Sequence, residues 1–350
     1  MKIVKDGFNI EVSEPILYVD NKSRDRSGHM THAMVELPDG TVVDFNSNCS
    51  SRYIFGHSTF GFVEYRISHD GGETFSDIKE LPYSKKELLD GIYTISVEKA
   101  VTTNDGAIVA FCLRNNPHSC CTPWDTPTVI ISYDCGESWS EPYELCQYKG
   151  RIYDACYYEG VIYVLEFCNE ATENFCGTKD DDLYRLFASY DNGKSFTELC
   201  VVPLPTLQRG YGAMLFDENG ALHVYSYNGS DEFNIDHIVS FDKGKTWNDP
   251  ELCFVNEGIR NPQMAIIDGV FVAHGRSKDM TAFVLYTSFD GKIWSEATRL
   301  RELPNPCGCY YSNNLILRRK NENRLLIQYS EGYGKDWCVN VFHMWLKIEK

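Results

Sequence analysis

Ser68-His69-Asp70-Gly71-Gly72-Glu73-Thr74-Phe75 is the first of five copies of one pattern. It returns as Ser132-Tyr133-Asp134-Cys135-Gly136-Glu137-Ser138-Trp139, as Ser189-Tyr190-Asp191-Asn192-Gly193-Lys194-Ser195-Phe196 and as Ser240-Phe241-Asp242-Lys243-Gly244-Lys245-Thr246-Trp247. The fifth copy, Ser288-Phe289-Asp290-Gly291-Lys292-Ile293-Trp294, is one residue shorter. The shared form is Ser-x-Asp-x-Gly-x-(Ser/Thr)-(Trp/Phe). A repeat every roughly 50 to 60 residues is the mark of a propeller or a solenoid.

Each copy reads as a hairpin turn. The Asp accepts hydrogen bonds from the turn's own amides, the Gly takes a backbone angle that costs other residues energy, and the Ser/Thr hydroxyl ties the turn down. The aromatic residue buries between neighbouring sheets. These five aspartates are therefore read as fold elements and not as catalysts.

Between the copies lies a second series of turns. Asp39-Gly40, Asp105-Gly106, Glu159-Gly160, Asn219-Gly220 and Asp268-Gly269 each join two apolar runs, and Leu315 to Ile327 repeats the arrangement a sixth time. Turns of this type between apolar runs are strong hairpin signals. Six units follow, starting near residues 26, 93, 148, 206, 259 and 308. Helical periodicity is confined to Ser84 to Leu89. The leading segment, Ile10 to Val19, is placed to supply the strand that closes the ring. The expected fold is all-β, a six-bladed β-propeller with four-stranded blades, forming one domain over residues 1–350.

Apolar residues make up 43 % of the 350, enough for a large core. No apolar run approaches the ~18 residues of a membrane span, and the first residues lack an apolar run of signal-peptide length. A cytoplasmic location is the expectation, or a secreted one if a signal has been removed. The net charge of −17 disfavours nucleic acid and anionic membranes as partners. Most of the fourteen cysteines sit singly in strand-like contexts. Cys120-Cys121 and Cys307-x-Cys309 lack a second ligand pair at zinc spacing, so reduced thiols are expected and no cofactor or metal.

The repeat resembles the Asp-box (BNR) repeat of the sialidase (neuraminidase) superfamily, which implies a propeller fold across nearly the whole chain. One further stretch resembles that superfamily. Arg260-Asn261-Pro262-Gln263, an inner hairpin and then Val272-Ala273-His274-Gly275-Arg276 is similar to the sialidase segment that carries a catalytic Glu and the second arginine of a carboxylate-binding triad. Arg276 matches the arginine, whereas Asn261 stands where the Glu belongs. Tyr311, in Cys309-Tyr310-Tyr311-Ser312-Asn313, is the local analogue of the family's tyrosine nucleophile. Arg26 stands roughly in the place of the first triad arginine. After Ile327 to Glu331, where the third is expected, the chain has Asp336. The acid/base aspartate has no counterpart. The resemblance implies an atypical catalytic set.

In a propeller, ligands meet the beginnings of the innermost strands. The polar residues at the inner-strand starts and at the second-strand ends beside them include Arg26, His29, His32 and Asp44, then Glu98 and Arg114, then Arg151, Tyr153, Asp154 and Glu166, then Arg209 and Tyr211, then Arg260, Asn261, Gln263, His274 and Arg276, then Tyr311 and Asn313. Six arginines in so acidic a chain point to a pocket for an anionic ligand, because a guanidinium fork matches a carboxylate. The competing reading pairs them with Asp154, Glu98, Glu166 or Asp44. The first functional reading is a glycoside hydrolase acting on a terminal acidic sugar, sialic acid-like or uronic. In it Arg26, Arg151, Arg209, Arg260, Asn261, Gln263 and Arg276 bind the substrate. Asp154 with Glu98 or Glu166 supplies acid/base chemistry, and Tyr311 is nucleophile or charge stabiliser. The second is a non-catalytic carbohydrate-binding propeller. A third is a metal-dependent lyase or hydrolase built on His29, His32 and His274.

Overall fold

The repeat turns close as their chemistry requires. In the first copy Ser68 Oγ donates to Asp70 Oδ1 at 2.7 Å and accepts the Gly72 amide at 2.8 Å, while the amide and hydroxyl of Thr74 donate to the two Asp70 oxygens at 2.9 and 2.5 Å. The second, third and fourth copies repeat this set. Gly244 has φ 91°, and a Cβ there would meet Leu186 Cδ2 at 2.5 Å. The position therefore excludes a side chain both by angle and by space.

The turns also stitch each blade to the one before it. Tyr65 of blade one donates to the Gly136 carbonyl at 2.7 Å, and Tyr225 of blade four to that of Gly291 at 2.9 Å. Tyr143 of blade two does the same for Gly193. Trp139, closing the second copy, meets Phe45 and Tyr65 at 5.8 and 6.0 Å. The pattern's aromatic residue thus packs on the neighbouring blade.

A computed structural model describes residues 1–5, 7–50, 59–118, 124–169, 175–303, 309–319, 322–334 and 338–349. Cys120, Cys121, Cys307 and Asp336 lie outside them. Six antiparallel sheets form the ring. Their inner strands are His32–Glu36, Thr94–Thr102, Gly150–Tyr158, Arg209–Phe216, Arg260–Ile267 and Ser312–Arg318. Arg26–Ser27 pairs separately with the second strand of blade one. Blades two to five each run through four strands in sequence order. The short helix is Pro82–Leu89; Pro at its start extends it two residues beyond the expected stretch. Every described cysteine is a free thiol.

The sixth blade is built from both ends of the chain. The last strand, Val339–Glu349, pairs with Phe8–Val12 and with Ile16–Val19. The expected closing strand over residues 10–19 is thus two strands, interrupted at Glu14-Pro15, where proline lacks a donor for the ladder. A further strand, Lys2–Lys5, forms a hairpin with Phe8–Val12.

Large apolar clusters fill the blade interfaces, except where the sixth blade meets the first. There the buried apolar cluster is Met34, Val42, Leu317 and Leu326, and polar bonds take over. Asp44, fully buried, faces His343 Nε2 at 2.9 Å and accepts from Gln328, which accepts from His32 Nδ1 at 2.8 Å. Tyr18 stacks on His343 at 3.9 Å. Asp44, anticipated as a channel residue, is a seam residue.

Thr246, through its amide and its hydroxyl, pulls the Asp242 carboxyl down to about 2, and Ser138 and Thr74 pull Asp134 and Asp70 down likewise. Unfolded aspartate titrates near ~3.9, so the stabilisation from these turns is complete above that value and is lost as pH falls towards about 2. The urea midpoint is expected to drop across that window, with a shallower slope in Asp242→Asn. An unchanged slope in the variant would contradict this account of the turns.

Candidate functional site

The inner strands break their ladders at one common height. In blade two Val97 pairs with Cys112 and Lys99 with Phe111, which leaves Glu98 over. Tyr153 is left over between Ile152 and Asp154, Tyr211 between Gly210 and Gly212, and Asn261-Pro262 between Arg260 and Gln263. Tyr211 has φ 43°, Asn261 52° and Tyr310, just before the sixth inner strand, 64°. Asn tolerates this left-handed region, whereas Tyr enters it at a cost. A bulge re-aims a side chain and is typical beside active sites. The bulges therefore turn Glu98, Tyr153, Tyr211 and Asn261 out of their ladders near the strand-start end of the channel.

The arginines here divide by partner. Arg151 Nε holds Glu98 Oε2 at 2.6 Å, and its guanidinium lies over Trp124 and Tyr153 at 5.6 and 5.5 Å. Burial pushes the Glu98 carboxyl up, against the pull of Arg151. Arg209 Nε bonds Asp236 at 3.0 Å, and Arg260 grips Glu232 with two bonds of 2.8 and 2.9 Å. Arg26 binds Asn48 through its side-chain oxygen at 2.5 Å and its carbonyl at 2.9 Å.

Arg276 differs from these. It is 7 % exposed and has no carboxylate partner among the described residues. Its Nε is buried without a hydrogen-bond partner, and its guanidinium lies over the Tyr311 ring at 4.9 Å. The Tyr211 phenol, raised by burial and by Tyr311, is pulled the other way by Arg276 and Arg151. Tyr211 thus stands electrically between the paired arginine and the unpaired one.

Lower in the channel sits a residue the sequence reading passed over. Lys99 Nζ reaches Gln263 Oε1 at 2.7 Å, Asn313 Oδ1 at 2.8 Å and Asp154 Oδ1 at 3.2 Å, joining blades two, three, five and six. Asp154 also accepts the Met214 amide at 2.8 Å and the Ala155 amide at 2.9 Å. The signal was present in the sequence, since Lys99 is a lone cation within an inner strand. Glu166 is fully buried, accepts from Cys146 Sγ at 3.1 Å and is pushed up to about 7 by burial. Asp154, Glu98 and Glu166 thus have three separate sets of partners: a lysine with backbone amides, an arginine, and a thiol.

The histidines are likewise engaged one by one. His29 Nδ1 lies 2.9 Å from Ser27 Oγ, and His274 contacts Ser312 Oγ at 3.2 Å and Asn314 Nδ2 at 2.9 Å. Burial lowers His32 to about 4 and His274 to about 3. Among the described residues no group of three or more His, Cys, Asp or Glu could hold a metal ion. The structure brings Arg276, Tyr311, Tyr211, Arg151 and Glu98 into one connected set, keeps Asp154 and Gln263 on the lysine below, and leaves Arg209 and Arg260 on carboxylates of blade four.

No protein-family model and no curated protein matches the sequence. Solved structures match its fold. A protein of unknown function from Dyadobacter fermentans superposes with a TM-score of 0.73 at 13% identity, over 97% of this chain and 99% of that one. A Hadza microbial sialidase gives 0.67 at 12% identity, over 96% and 68%. Trypanosoma rangeli sialidase with the inhibitor DANA gives 0.62 at 14% identity, over 91% and 55%. The chain has the six-bladed propeller fold of the sialidases, at a sequence identity low enough for wide divergence of the residues that fold carries.

Proposed function

We propose that this protein binds the terminal acidic sugar of a glycan, sialic acid-like or uronic, at the strand-start end of its channel, with Arg276 as the anchor for the sugar carboxylate. One observation carries the reading: Arg276 is a buried guanidinium without a carboxylate partner among the described residues. A buried charge is costly until it is paired. A ligand carboxylate supplies the missing partner with the two-bond geometry that a guanidinium favours. The Tyr311 ring under the Arg276 guanidinium supplies an aromatic wall beside the anchor. Trypanosoma rangeli sialidase, which shares the fold, has been solved with DANA and with 2,3-difluorosialic acid as a covalent intermediate. That likeness supports an acidic sugar as the ligand class.

Hydrolysis of the same sugar is the second reading, and Glu98 favours it. Its carboxyl stands at a bulge and burial pushes it up against the pull of Arg151, the direction that suits a general acid. Tyr311, beside Arg276, would be the nucleophile. The partners of Asp154, Glu98 and Glu166 weigh towards binding alone, because each carboxylate is already engaged.

The two readings separate in a screen of aryl glycosides of sialic acid, uronic acids and neutral sugars. Saturable binding of an acidic sugar, lost by about tenfold or more in Arg276→Ala, without turnover, is the expected result. Turnover that disappears in both Tyr311→Phe and Glu98→Gln would establish the hydrolase. Preference for neutral sugars, or binding untouched in Arg276→Ala, would contradict the anchor.

Stability gives an independent check. Glu98→Gln strips a buried arginine of its partner and is expected to cost about 3 kcal/mol, read from urea unfolding. Arg276→Met removes an unpaired buried charge, and its stability is expected to stay within about 1 kcal/mol of the parent or to rise. Equal large losses in both variants would mean that Arg276 is held by the protein and not kept for a ligand.

A further inference from the structure

On the opposite face of the ring, beside the repeat turns, blades four and five form an open cavity of about 350 Å³. His223 lines it while being only 5 % exposed. Behind His223 runs a chain of bonds. Lys292 Nζ lies 2.6 Å from Glu251 Oε1, Glu251 Oε1 lies 3.1 Å from His237 Nδ1, and His237 Nε2 lies 3.0 Å from His223 Nδ1.

This chain settles the tautomers. Burial pushes the Glu251 carboxyl up, but Lys292 and His237 outweigh it and hold it below its ordinary value. Glu251 is therefore ionised at neutral pH and only accepts. Burial lowers both imidazoles, that of His237 to about 4, so each ring is neutral with a single N–H. His237 must carry its proton on Nδ1, facing Glu251. Its Nε2 then accepts, so His223 must donate from Nδ1. What remains on His223 is a bare lone pair at Nε2.

Among the described residues that nitrogen has no hydrogen-bond partner. It faces Asp217 Oδ2 at 3.6 Å, beyond hydrogen-bond reach. The other Asp217 oxygen is already engaged with the amides of Asn219 and Ala221 at 2.9 and 2.8 Å. Two acceptors thus face one another at the cavity wall with no proton between them, an arrangement completed only by a donor. Two ligand atoms are too few for a metal ion, which takes three or more protein donors.

The surroundings select the donor. Asp217 and Glu218 line the cavity, and its one lysine is spent on Glu251. Phe241 and Phe289, the second residues of two repeat turns, flank it at 73 % and 58 % exposure. Carboxylates together with open aromatic faces favour a cation over a neutral hydroxyl. We propose that this cavity binds a primary ammonium on an apolar body, with the amino group bridging His223 Nε2 and Asp217 Oδ2 from the cavity side and the body against Phe241 and Phe289. The site lies away from Arg276 and neither needs nor affects the acidic-sugar site.

The test is titration of the ¹⁵N-labelled protein near neutral pH with 2-phenylethylammonium and, separately, with 2-phenylethanol. The His223 Nε2 resonance reports binding. Saturable binding of the ammonium is expected, with the alcohol and the variant Asp217→Asn each weaker by about tenfold. Phe289→Ser, at an exposed position that leaves the fold intact, is expected to weaken binding by about threefold. No saturable shift up to about 10 mM ammonium, equal affinity for the alcohol, or undiminished binding in Asp217→Asn overturns the proposal. If Asp217→Asn fails to fold, the alcohol and Phe289→Ser decide it alone.

Discussion

Pairing of the last strand with the N-terminal strands Phe8–Val12 and Ile16–Val19 is the constraint on which the rest of the molecule depends. Val339–Glu349 lies between Asn323–Gly332 and the N-terminal strands, so the ring closes through a ladder drawn from both ends of the chain. An open ring would expose sheet faces that are otherwise buried against a neighbouring blade. The closing interface has smaller apolar clusters than the other five and holds beside them the buried Asp44–His343 pair and its glutamine and tyrosine neighbours. Polar bonds of this kind are directional. They set the register of blade six against blade one and with it the spacing of the inner strands around the channel.

The site follows from that spacing. Bulges at one height in four inner strands lift Glu98, Tyr153, Tyr211 and Asn261 out of their ladders. The charges are then sorted by partner. In a chain of net charge −17 carboxylates are abundant, and Arg151, Arg209 and Arg260 have each taken one. Against that background a buried arginine left over a tyrosine ring has chemical meaning. Under the proposal its partner is an anion from outside, and the low dielectric around it would strengthen that pairing.

The blades were legible in the sequence because a turn is a local object. Ser132 to Trp139 contains every donor and acceptor that closes it, so composition and spacing sufficed. The inner strands were legible for the same reason, five of the six announced by a Gly-containing hairpin. The charge pairing was not, because it joins residues far apart in the chain. Arg151 finds Glu98 across 53 residues, and Lys99 finds Asn313 across 214. Asp154 read as a catalytic acid because its lysine and the Met214 amide come from other blades. Glu166 read as a channel residue because the face a strand turns to its neighbours depends on the bulge at Tyr153, which leaves no mark in the sequence. Arg276 was legible from the motif that resembles the sialidases, but its lack of a carboxylate partner among the described residues was visible only in three dimensions.

The most direct test of the central claim is a crystal structure of the protein with N-acetylneuraminic acid bound. The account predicts the sugar carboxylate on the Arg276 guanidinium, at the roughly 2.7–2.9 Å of a charge-assisted hydrogen bond, with Tyr311 beside it. A carboxylate held elsewhere, or Arg276 paired with a carboxylate of the protein itself, would contradict it.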